Sequence, residues 1–217
     1  ADNGVVIPME VNWLHPQIDE GLVRQLHGMS MISRERYGMW QNANRNLTFA
    51  EYGNACREEG KQVLILTKTV EHAFHLKRFL PDWPLVYDKV DHTDYARYVA
   101  AGLVTENGEP PMTRPRRSRL TEAFESGELR FAIATLVWSV GVDFQELSEL
   151  VRADGMGSDI ASVQLPGRAA RVHAQSGKMV GRVTDSCDRF NESIFRNTCK
   201  RRKQYQKMGW TETGWKQ

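Results

Sequence analysis

Short apolar runs that alternate with helical segments constrain the fold of this chain most strongly. The runs Gln62–Leu66 and Leu129–Thr135 carry apolar residues at consecutive positions. A strand with one solvated face alternates apolar and polar residues, whereas a strand buried on both faces does not. Strands buried on both faces are typical of parallel sheets covered by helices. We therefore predict an α/β fold with a parallel sheet flanked by helices, whose further strands are Val5–Leu14, Leu85–Tyr87, Glu149–Ala153 and Lys178–Thr184.

Helices are predicted between these strands. Residues 16–60 are expected to be largely helical, with Asp19–Met29 and Thr48–Glu59 as the clearest helices. Thr48 and Glu51 have the spacing of a capping box. Further helices are expected at Val70–Leu80, at Arg117–Glu125 and in a basic C-terminal segment, Asp188–Lys207. Met39, Trp40 and Phe49 are expected to face the core.

Two segments depart from simple alternation. Pro8 cannot donate to a sheet ladder, so the first strand is predicted at an edge of the sheet or as the strand that leads into the domain. Residues 88–115 contain Asn107-Gly108 and several prolines, and they exceed the usual length of a connection between a helix and a strand. We predict a mobile surface insertion there, with a short helix near Tyr95–Ala101.

Length and composition are typical of a globular protein. A chain of 217 residues suffices for one domain with a substantial core, and shares of 41% hydrophobic and 26% charged residues argue against disordered and membrane classes. No apolar run approaches the ~20 residues of a membrane span. Asp2 and Asn3 stand where a signal peptide would be basic. We expect a cytoplasmic location and no membrane partner.

Neither a disulfide framework nor a metal site is predicted. Cys56, Cys187 and Cys199 form no Cys-x-x-Cys pair and are interpreted as reduced thiols. His72 and His75 lie three positions apart, a spacing that permits shared metal ligation. No further ligand is nearby in sequence, so we interpret both as partly exposed helix positions.

The stretch Gln164-Leu-Pro-Gly-Arg168-Ala-Ala-Arg171 is the strongest candidate for ligand binding. On a helix, Gln164, Arg168 and Arg171 would share one face. Two planar guanidinium groups suit a triphosphate, although an exposed basic helix is the alternative. Pro166 and Gly167 should kink or restart the helix. Gln164 would then leave the common face, while Arg168 and Arg171 would remain neighbours.

A second candidate lies upstream, where an apolar strand leads into Thr135, Gly141 and Asp143. The carboxyl edge of a parallel sheet is where α/β proteins place ligand-binding groups. Trp138 lies in the same loop. It is either a core residue, which we favour, or a stacking platform for a base.

The order and spacing of these elements resemble the superfamily 2 helicases. Motifs V and VI are matched by Thr135, Gly141, Asp143, Gln164, Arg168 and Arg171. Gly60–Leu80 resembles motif IV, and Arg117–Gly127 resembles the helix that precedes motif V. Asn44-Arg45-Asn46 and the basic C-terminal end resemble phage and repair-type DNA helicases. Four elements in the right order make the resemblance specific over about residues 44–210.

The resemblance implies the second, C-terminal RecA-like lobe of such a helicase over residues 1–217. Residues 1–43 would form the leading strand and a helical extension. ATP with Mg²⁺ is the implied cofactor. Arg171 would be the arginine finger, assisted by Arg168, and both would reach the phosphates. Gly141, Asp143 and Gln164 would complete the nucleotide contacts of this lobe.

The sequence lacks the motifs of a first lobe. No Gly-x-x-x-x-Gly-Lys-Ser/Thr loop and no Asp-Glu box occur in the 217 residues. In the family these motifs, and the Mg²⁺ ligands, belong to the N-terminal lobe. The implied partner is therefore an N-terminal RecA-like lobe, and we expect the isolated chain to be inactive. A non-enzymatic RecA-like nucleic-acid-binding or adaptor module is the alternative.

Local basic clusters, rather than the net charge of +2, indicate where nucleic acid would bind. One consists of Arg114, Arg116, Arg117 and Arg119. The other consists of Lys200, Arg201, Arg202, Lys203 and Lys207, with Tyr205, Trp210 and Trp215 nearby. Solvated helix ends and phosphate contact explain each cluster equally well. By resemblance Thr67 and Thr135 lie toward the nucleic-acid face, and we expect DNA rather than RNA.

Overall fold

The computed structural model describes residues 7–104, 111–138, 142, 144, 146–157 and 180–216. Its centre is a seven-stranded sheet in the order β3-β4-β2-β5-β6-β1-β7, with every neighbouring pair parallel. This confirms the predicted α/β class. The strands are β1 (Met9–Leu14), β2 (Val63–Leu66), β3 (Leu85–Val86), β4 (Phe131–Ala134), β5 (Glu149–Arg152), β6 (Gly181–Ser186) and β7 (Thr211–Thr213).

Helices flank the sheet. In chain order they are α1 (Glu20–Leu26), α2 (Met31–Glu35), α3 (Ala43–Glu58), α4 (Val70–Lys77), α5 (His92–Ala100), α6 (Arg114–Glu125) and α7 (Glu192–Lys207). A π-helical turn, Arg36–Trp40, continues α2, and a 3₁₀ turn, Leu136–Trp138, follows β4. None of the helices in the described ranges is long and apolar enough to cross a bilayer.

The apolar run of β2 is explained by burial on both of its faces. Val63 and Ile65 belong to the core cluster that contains Phe49 and Phe74 of α3 and α4. Leu64 and Leu66 belong to the opposite cluster, which contains Phe124 of α6. Burying such a side chain contributes about 1.5–3 kcal/mol, so β2 anchors both layers of helices.

The start of α3 differs from the prediction. Asn42 is its N-cap, and the Asn42 side chain accepts a hydrogen bond from the backbone N–H of Arg45 at 2.8 Å. Thr48 lies inside the helix, where its hydroxyl donates to the carbonyl of Asn44 at 2.9 Å. The predicted capping box at Thr48 and Glu51 is therefore wrong, because an equally suitable cap precedes it by six positions.

Of the two positions predicted for the first strand, the edge of the sheet is wrong, and β1 is instead the interior strand with which the described chain begins. β1 pairs with β6 on one side and with β7 on the other, and β7 takes the edge. Pro8 immediately precedes β1, and its carbonyl accepts from Gly181 N at 2.9 Å, so the missing N–H disrupts no ladder. In the insertion, the predicted short helix is present as α5. Asn107, Gly108 and Pro110 lie outside the described residues.

Candidate functional site

Because all strands are parallel, their carboxyl ends lie along one edge of the sheet, where α/β proteins bind ligands. Asp88 follows β3, Thr135 follows β4 and Thr67 follows β2. Asp154 and Asp188 follow β5 and β6 farther along the same edge. The edge therefore contains polar residues from five neighbouring strands.

Thr67 and Thr135 lie on adjacent strands at the centre of this edge. The Thr67 N–H donates to the carbonyl of Ala134, the residue before Thr135, at 2.9 Å. The Thr67 hydroxyl is fully buried and lies 3.4 Å from the same carbonyl and from that of Thr69. Thr135 is 8% exposed. Thr67 thus helps to shape the edge, and Thr135 is also buried apart from this small exposed fraction.

The structure does not describe the segments that contain the predicted nucleotide-binding residues. Gly141, Asp143, Gln164, Arg168 and Arg171 all lie outside the described residues. The same holds for Pro166 and Gly167, so the kink expected there stays a prediction.

Trp138 is the last described residue before Gly141 and Asp143 in sequence, and it is a core residue. Its indole N–H donates to the Thr121 hydroxyl at 2.9 Å. Its ring packs against Phe124 and Phe144, with centroid distances of 5.0 and 5.1 Å. It is 1% exposed, which confirms the favoured alternative and leaves no face open for a nucleic-acid base.

A cluster of buried ion pairs, which sequence reasoning missed, lies at the ends of β5 and β6. It comprises Arg45, Arg152, Arg201, Asp154, Asp185 and Asp188, and we call it the arginine–aspartate cluster. Arg45 of α3 donates to both carboxylate oxygens of Asp188, at 2.8 and 3.0 Å. Its remaining N–H groups donate to the Ala153 carbonyl and the Ser186 hydroxyl, each at 3.0 Å. Arg45 therefore ties α3 to the ends of both strands.

The other two arginines attach α7 to the same strand ends. Arg152 donates to both oxygens of Asp154 at 2.8 and 3.0 Å, and to the Tyr205 hydroxyl at 3.0 Å. Arg201 donates to Asp185 Oδ2 at 2.8 Å, and the Tyr205 hydroxyl donates to that oxygen at the same distance. Each charge is thereby paired and hydrogen-bonded, as burial requires.

The pKa values reflect this pairing. Burial alone would raise the pKa of Asp188, but the charge and hydrogen bonds of Arg45 outweigh it and lower that pKa. Arg152 likewise lowers the pKa of Asp154 against the effect of burial. The lowered pKa values keep Asp154 and Asp188 ionised beside the guanidinium groups that they pair with.

The cluster also holds the backbone just beyond β5. Asp154 Oδ1 accepts from the N–H of Met156 at 2.8 Å, while Arg201 Nη1 lies 3.5 Å from its carbonyl. A Cβ on Gly157 would meet the Asn197 side chain of α7 at 2.5 Å. The backbone at Gly157 therefore lies close against α7. This segment leads directly toward Gln164, Arg168 and Arg171 in sequence.

The basic cluster at the start of α6 lies on the carboxyl edge, beside the end of β3. Arg114 and Arg119 are exposed, whereas Arg116 and Arg117 are half-buried. Arg117 forms an ion pair with Asp88, and its hydrogen bond lowers the pKa of that carboxyl.

The C-terminal basic cluster is divided between the surface and the interior. Lys200, Lys203 and Lys207 are exposed on α7. Arg201 is 1% exposed and engaged with Asp185, so its guanidinium is not available to a phosphate, which corrects the prediction for Arg201. Arg202 pairs with Glu212 of β7 at 3.1 Å.

The aromatic residues near this cluster serve packing. Tyr205 is fully buried and stacks on Trp210 with a centroid distance of 5.2 Å. Trp215 packs edge-on against Trp13 of β1 at 4.9 Å, and the Arg202 guanidinium lies 4.1 Å from its ring centre. These contacts join α7 and β7 to β1.

His72 is fully buried, which corrects its interpretation as a partly exposed position. Asn46 donates through its amide nitrogen to the Trp40 carbonyl, so its Oδ1 accepts from His72 Nε2 at 3.1 Å. Burial, with a smaller effect of Arg45, lowers the pKa of His72 well below its ordinary value. His75 is half-buried. Within the described ranges, no group of three or more His, Cys, Asp or Glu side chains could hold a metal ion.

Comparison with known proteins assigns this chain to a family. Residues 44–173 match the helicase conserved C-terminal domain. The fold is similar to UvsW of T4, with a TM-score of 0.60, 15% identity, and coverage of 95% of this chain and 40% of that chain. It is also similar to S. cerevisiae Dbp5 bound to RNA and ADP BeF3, with a TM-score of 0.55, 13% identity, and coverage of 95% and 41%.

A third similar structure is a DEAD box protein from the hyperthermophile Methanococcus jannaschii. Its TM-score is 0.52 at 16% identity, with coverage of 97% of this chain and 42% of that chain. The chain therefore spans about two fifths of the length of the solved structures it matches.

Proposed function

The chain belongs to the helicase conserved C-terminal domain family and has the RecA-like fold of a superfamily 2 helicase C-terminal lobe, and from this premise we propose that it is the C-terminal half of an ATP-dependent DNA helicase or translocase. The observation that supports this most directly is the carboxyl edge of the sheet. Thr67 and Thr135 end adjacent strands there, and the sequence that contains Asp143 follows the second of them.

ATP bound between this lobe and an N-terminal lobe supplies a γ-phosphoryl group whose transfer spreads negative charge over its oxygens. Arg171 is the proposed arginine finger that stabilises this charge in a water-poor cleft, and Arg168 assists it. Gly141 allows close approach of the backbone. Asp143 and Gln164 orient the ribose or the two arginines. The Mg²⁺ ligands are expected on the N-terminal lobe.

The described residues contribute by positioning. The arginine–aspartate cluster holds the chain at Met156, ahead of the segment that carries Arg168 and Arg171 in sequence. Trp138 and Phe144 pack in the core on either side of Gly141 and Asp143 in sequence. A catalytic group needs such a rigid base, because small displacements weaken its contact with the transition state.

Nucleic acid is the proposed second ligand, and DNA is favoured over RNA by the resemblance described above. Arg114, Arg116, Arg117 and Arg119 would contact phosphates beside the carboxyl edge, and Lys200 and Lys203 would do so on α7. Such contacts hold a strand without reading its sequence. Thr135 would contribute its hydroxyl, because its N–H donates to the Val86 carbonyl. Thr67 would act indirectly, by fixing the backbone at this edge of the sheet.

A phosphate-release assay on the chain, alone and mixed with a matching N-terminal lobe, tests the proposal. Alone, the chain should show no significant turnover. With the first lobe, turnover should appear, and Arg171→Ala should reduce it by ~10³-fold or more. Arg171→Lys should not rescue it, because a point charge does not reproduce the planar fork of arginine. Arg196→Ala is the matched control, since Arg196 is an exposed arginine of α7 outside the proposed sites.

Two outcomes would contradict the proposal. Turnover by the isolated chain that survives Arg171→Ala would show that the activity does not use this residue. Binding of single strands without any stimulation by a first lobe would instead support the non-enzymatic nucleic-acid-binding module.

A further inference from the structure

A cavity of about 360 Å³ opens at the carboxyl edge of the sheet, between the end of β3 and the starts of α5 and α6. Its volume lies in the range of small-molecule sites. Val90, Tyr95, Pro111 and Met112 form an apolar wall. This wall belongs to the insertion between β3 and α6, outside the segments that resemble motifs IV, V and VI.

The wall is anchored in the folded core. Met112 is 4% exposed, and its N–H donates to the Tyr87 hydroxyl at 3.2 Å. Val90 and Tyr95 pack against the core cluster on the α3 and α4 side of the sheet. The cavity is therefore part of a packed structure, and its aromatic side chain has a fixed place.

The rim of the cavity is charged. Lys89 and Arg114 are exposed cations, while Arg117 is paired with Asp88. Asp88 also accepts from the N–H of Lys89 at 2.8 Å. Lys89 and Arg114 pair with no carboxylate among the described residues, so both can face an anionic group. The Asp88–Arg117 pair presents both an acceptor and donors to a polar edge. An apolar, aromatic wall beneath a cationic rim suits a ligand with a flat ring and a phosphate.

We propose that this cavity takes one nucleotide of a single strand, with its base against Tyr95 and its phosphate at Lys89 and Arg114. The inference rests on the proposed function and deepens it, since it names a base-binding site. Position supports a strand as the source, because Thr135 N donates to Val86 O at 2.9 Å. The edge proposed to hold phosphates is therefore one strand away from the cavity.

The test uses the full chain, a fluorescent single-stranded DNA and the same DNA with abasic sites, measured by anisotropy over a range of salt. Val90→Trp fills the cavity. Ala96→Trp adds the same side chain at an exposed position of α5 that does not line the cavity, and serves as the matched control. Melting curves confirm that both variants fold.

Val90→Trp and Tyr95→Leu should weaken binding of the normal strand by about 5- to 150-fold, the effect of losing one stacked base. Neither should change the salt slope or the affinity for the abasic strand. Ala96→Trp should bind both strands like the wild type. Arg114→Ala should lower the slope of log affinity against log salt by about 0.7.

The results separate this inference from the proposed function. Salt-dependent binding that is equal for normal and abasic strands, or equal for Val90→Trp and Ala96→Trp, overturns the cavity while nucleic-acid binding stands. Absence of any salt-dependent binding overturns both. Free dAMP is titrated in parallel. If it binds the wild type but not Val90→Trp, while the strand binds both equally, the cavity takes a free nucleotide and the strand assignment is wrong.

Discussion

Arg201 and Lys203 belong to the same basic run of α7, but replacing each of them should affect a different property of the protein. Arg201 is 1% exposed and donates to Asp185 at 2.8 Å and to the Ser186 carbonyl at 3.0 Å. Lys203 is exposed. We expect Arg201→Met to reduce stability and Lys203→Met to reduce only the binding of nucleic acid.

The magnitude follows from what Arg201→Met leaves behind. Removing one member of a buried ion pair typically costs about 3–5 kcal/mol, because the other charge stays buried. Asp185 would keep hydrogen bonds from the Tyr205 hydroxyl at 2.8 Å and from Ser186 N at 2.7 Å. The loss should therefore be near the lower end, about 3 kcal/mol, or roughly 6–12 °C in Tm for a domain of this size. Lys203→Met should stay within about 0.5 kcal/mol.

Urea unfolding followed by circular dichroism measures the first effect, and the salt dependence of single-strand binding measures the second. The wild type and the two variants are compared under identical conditions. Lys203→Met should lower the salt slope by about 0.7. In Arg201→Met, the slope should be unchanged at temperatures where the variant is folded.

One result would refute the reasoning. If Arg201→Met kept the urea midpoint of the wild type and lowered the salt slope, Arg201 would contact nucleic acid. The arginine–aspartate cluster would then not be a stabilising element of the fold.

Three further predictions concern α3, His72 and Trp138. Asn42→Ala should lower the free energy of unfolding by about 1 kcal/mol, because it removes the N-cap side chain that accepts from Arg45 N at 2.8 Å. Thr48→Ala should lower it by less than about 0.5 kcal/mol. If Thr48→Ala lowered the urea midpoint more than Asn42→Ala, the helix would instead be capped at Thr48. Burial lowers the pKa of His72 in the folded protein. The neutral imidazole therefore contributes its full stability above the unfolded pKa of about 6.5. That stability is lost as the pH falls from there toward the folded pKa, by up to about 1.4 kcal/mol per pH unit. His72→Gln should flatten the dependence of unfolding free energy on pH between 7 and 5, and equal slopes in wild type and variant would contradict a buried neutral imidazole. Trp138→Ala should cost about 3–5 kcal/mol without changing the single-strand affinity of the folded protein, and lost affinity at unchanged stability would indicate a stacking role instead.

Local patterns in the sequence were sufficient for the α/β class and for most strands. A strand buried on both faces must be apolar at consecutive positions, and β2 shows this in Val63 to Leu66. The place of Thr67 and Thr135 at strand ends followed from the same pattern. β7 was missed because three residues, two of them exposed, carry no periodic signal.

Only the tertiary structure decided which charged residues face solvent. Arg201 and its neighbours form one basic run in sequence, but the partner of Arg201 lies sixteen positions away, and Arg45 pairs with a carboxylate 143 positions away. Such partners meet only when α3 and α7 pack on the ends of β5 and β6. A charge in the sequence indicates a preference for water, and burial becomes favourable only when the fold supplies the opposite charge and the hydrogen bonds. For this reason periodicity predicted the elements, while the roles of Arg45, Arg152 and Arg201 depended on the packing between them.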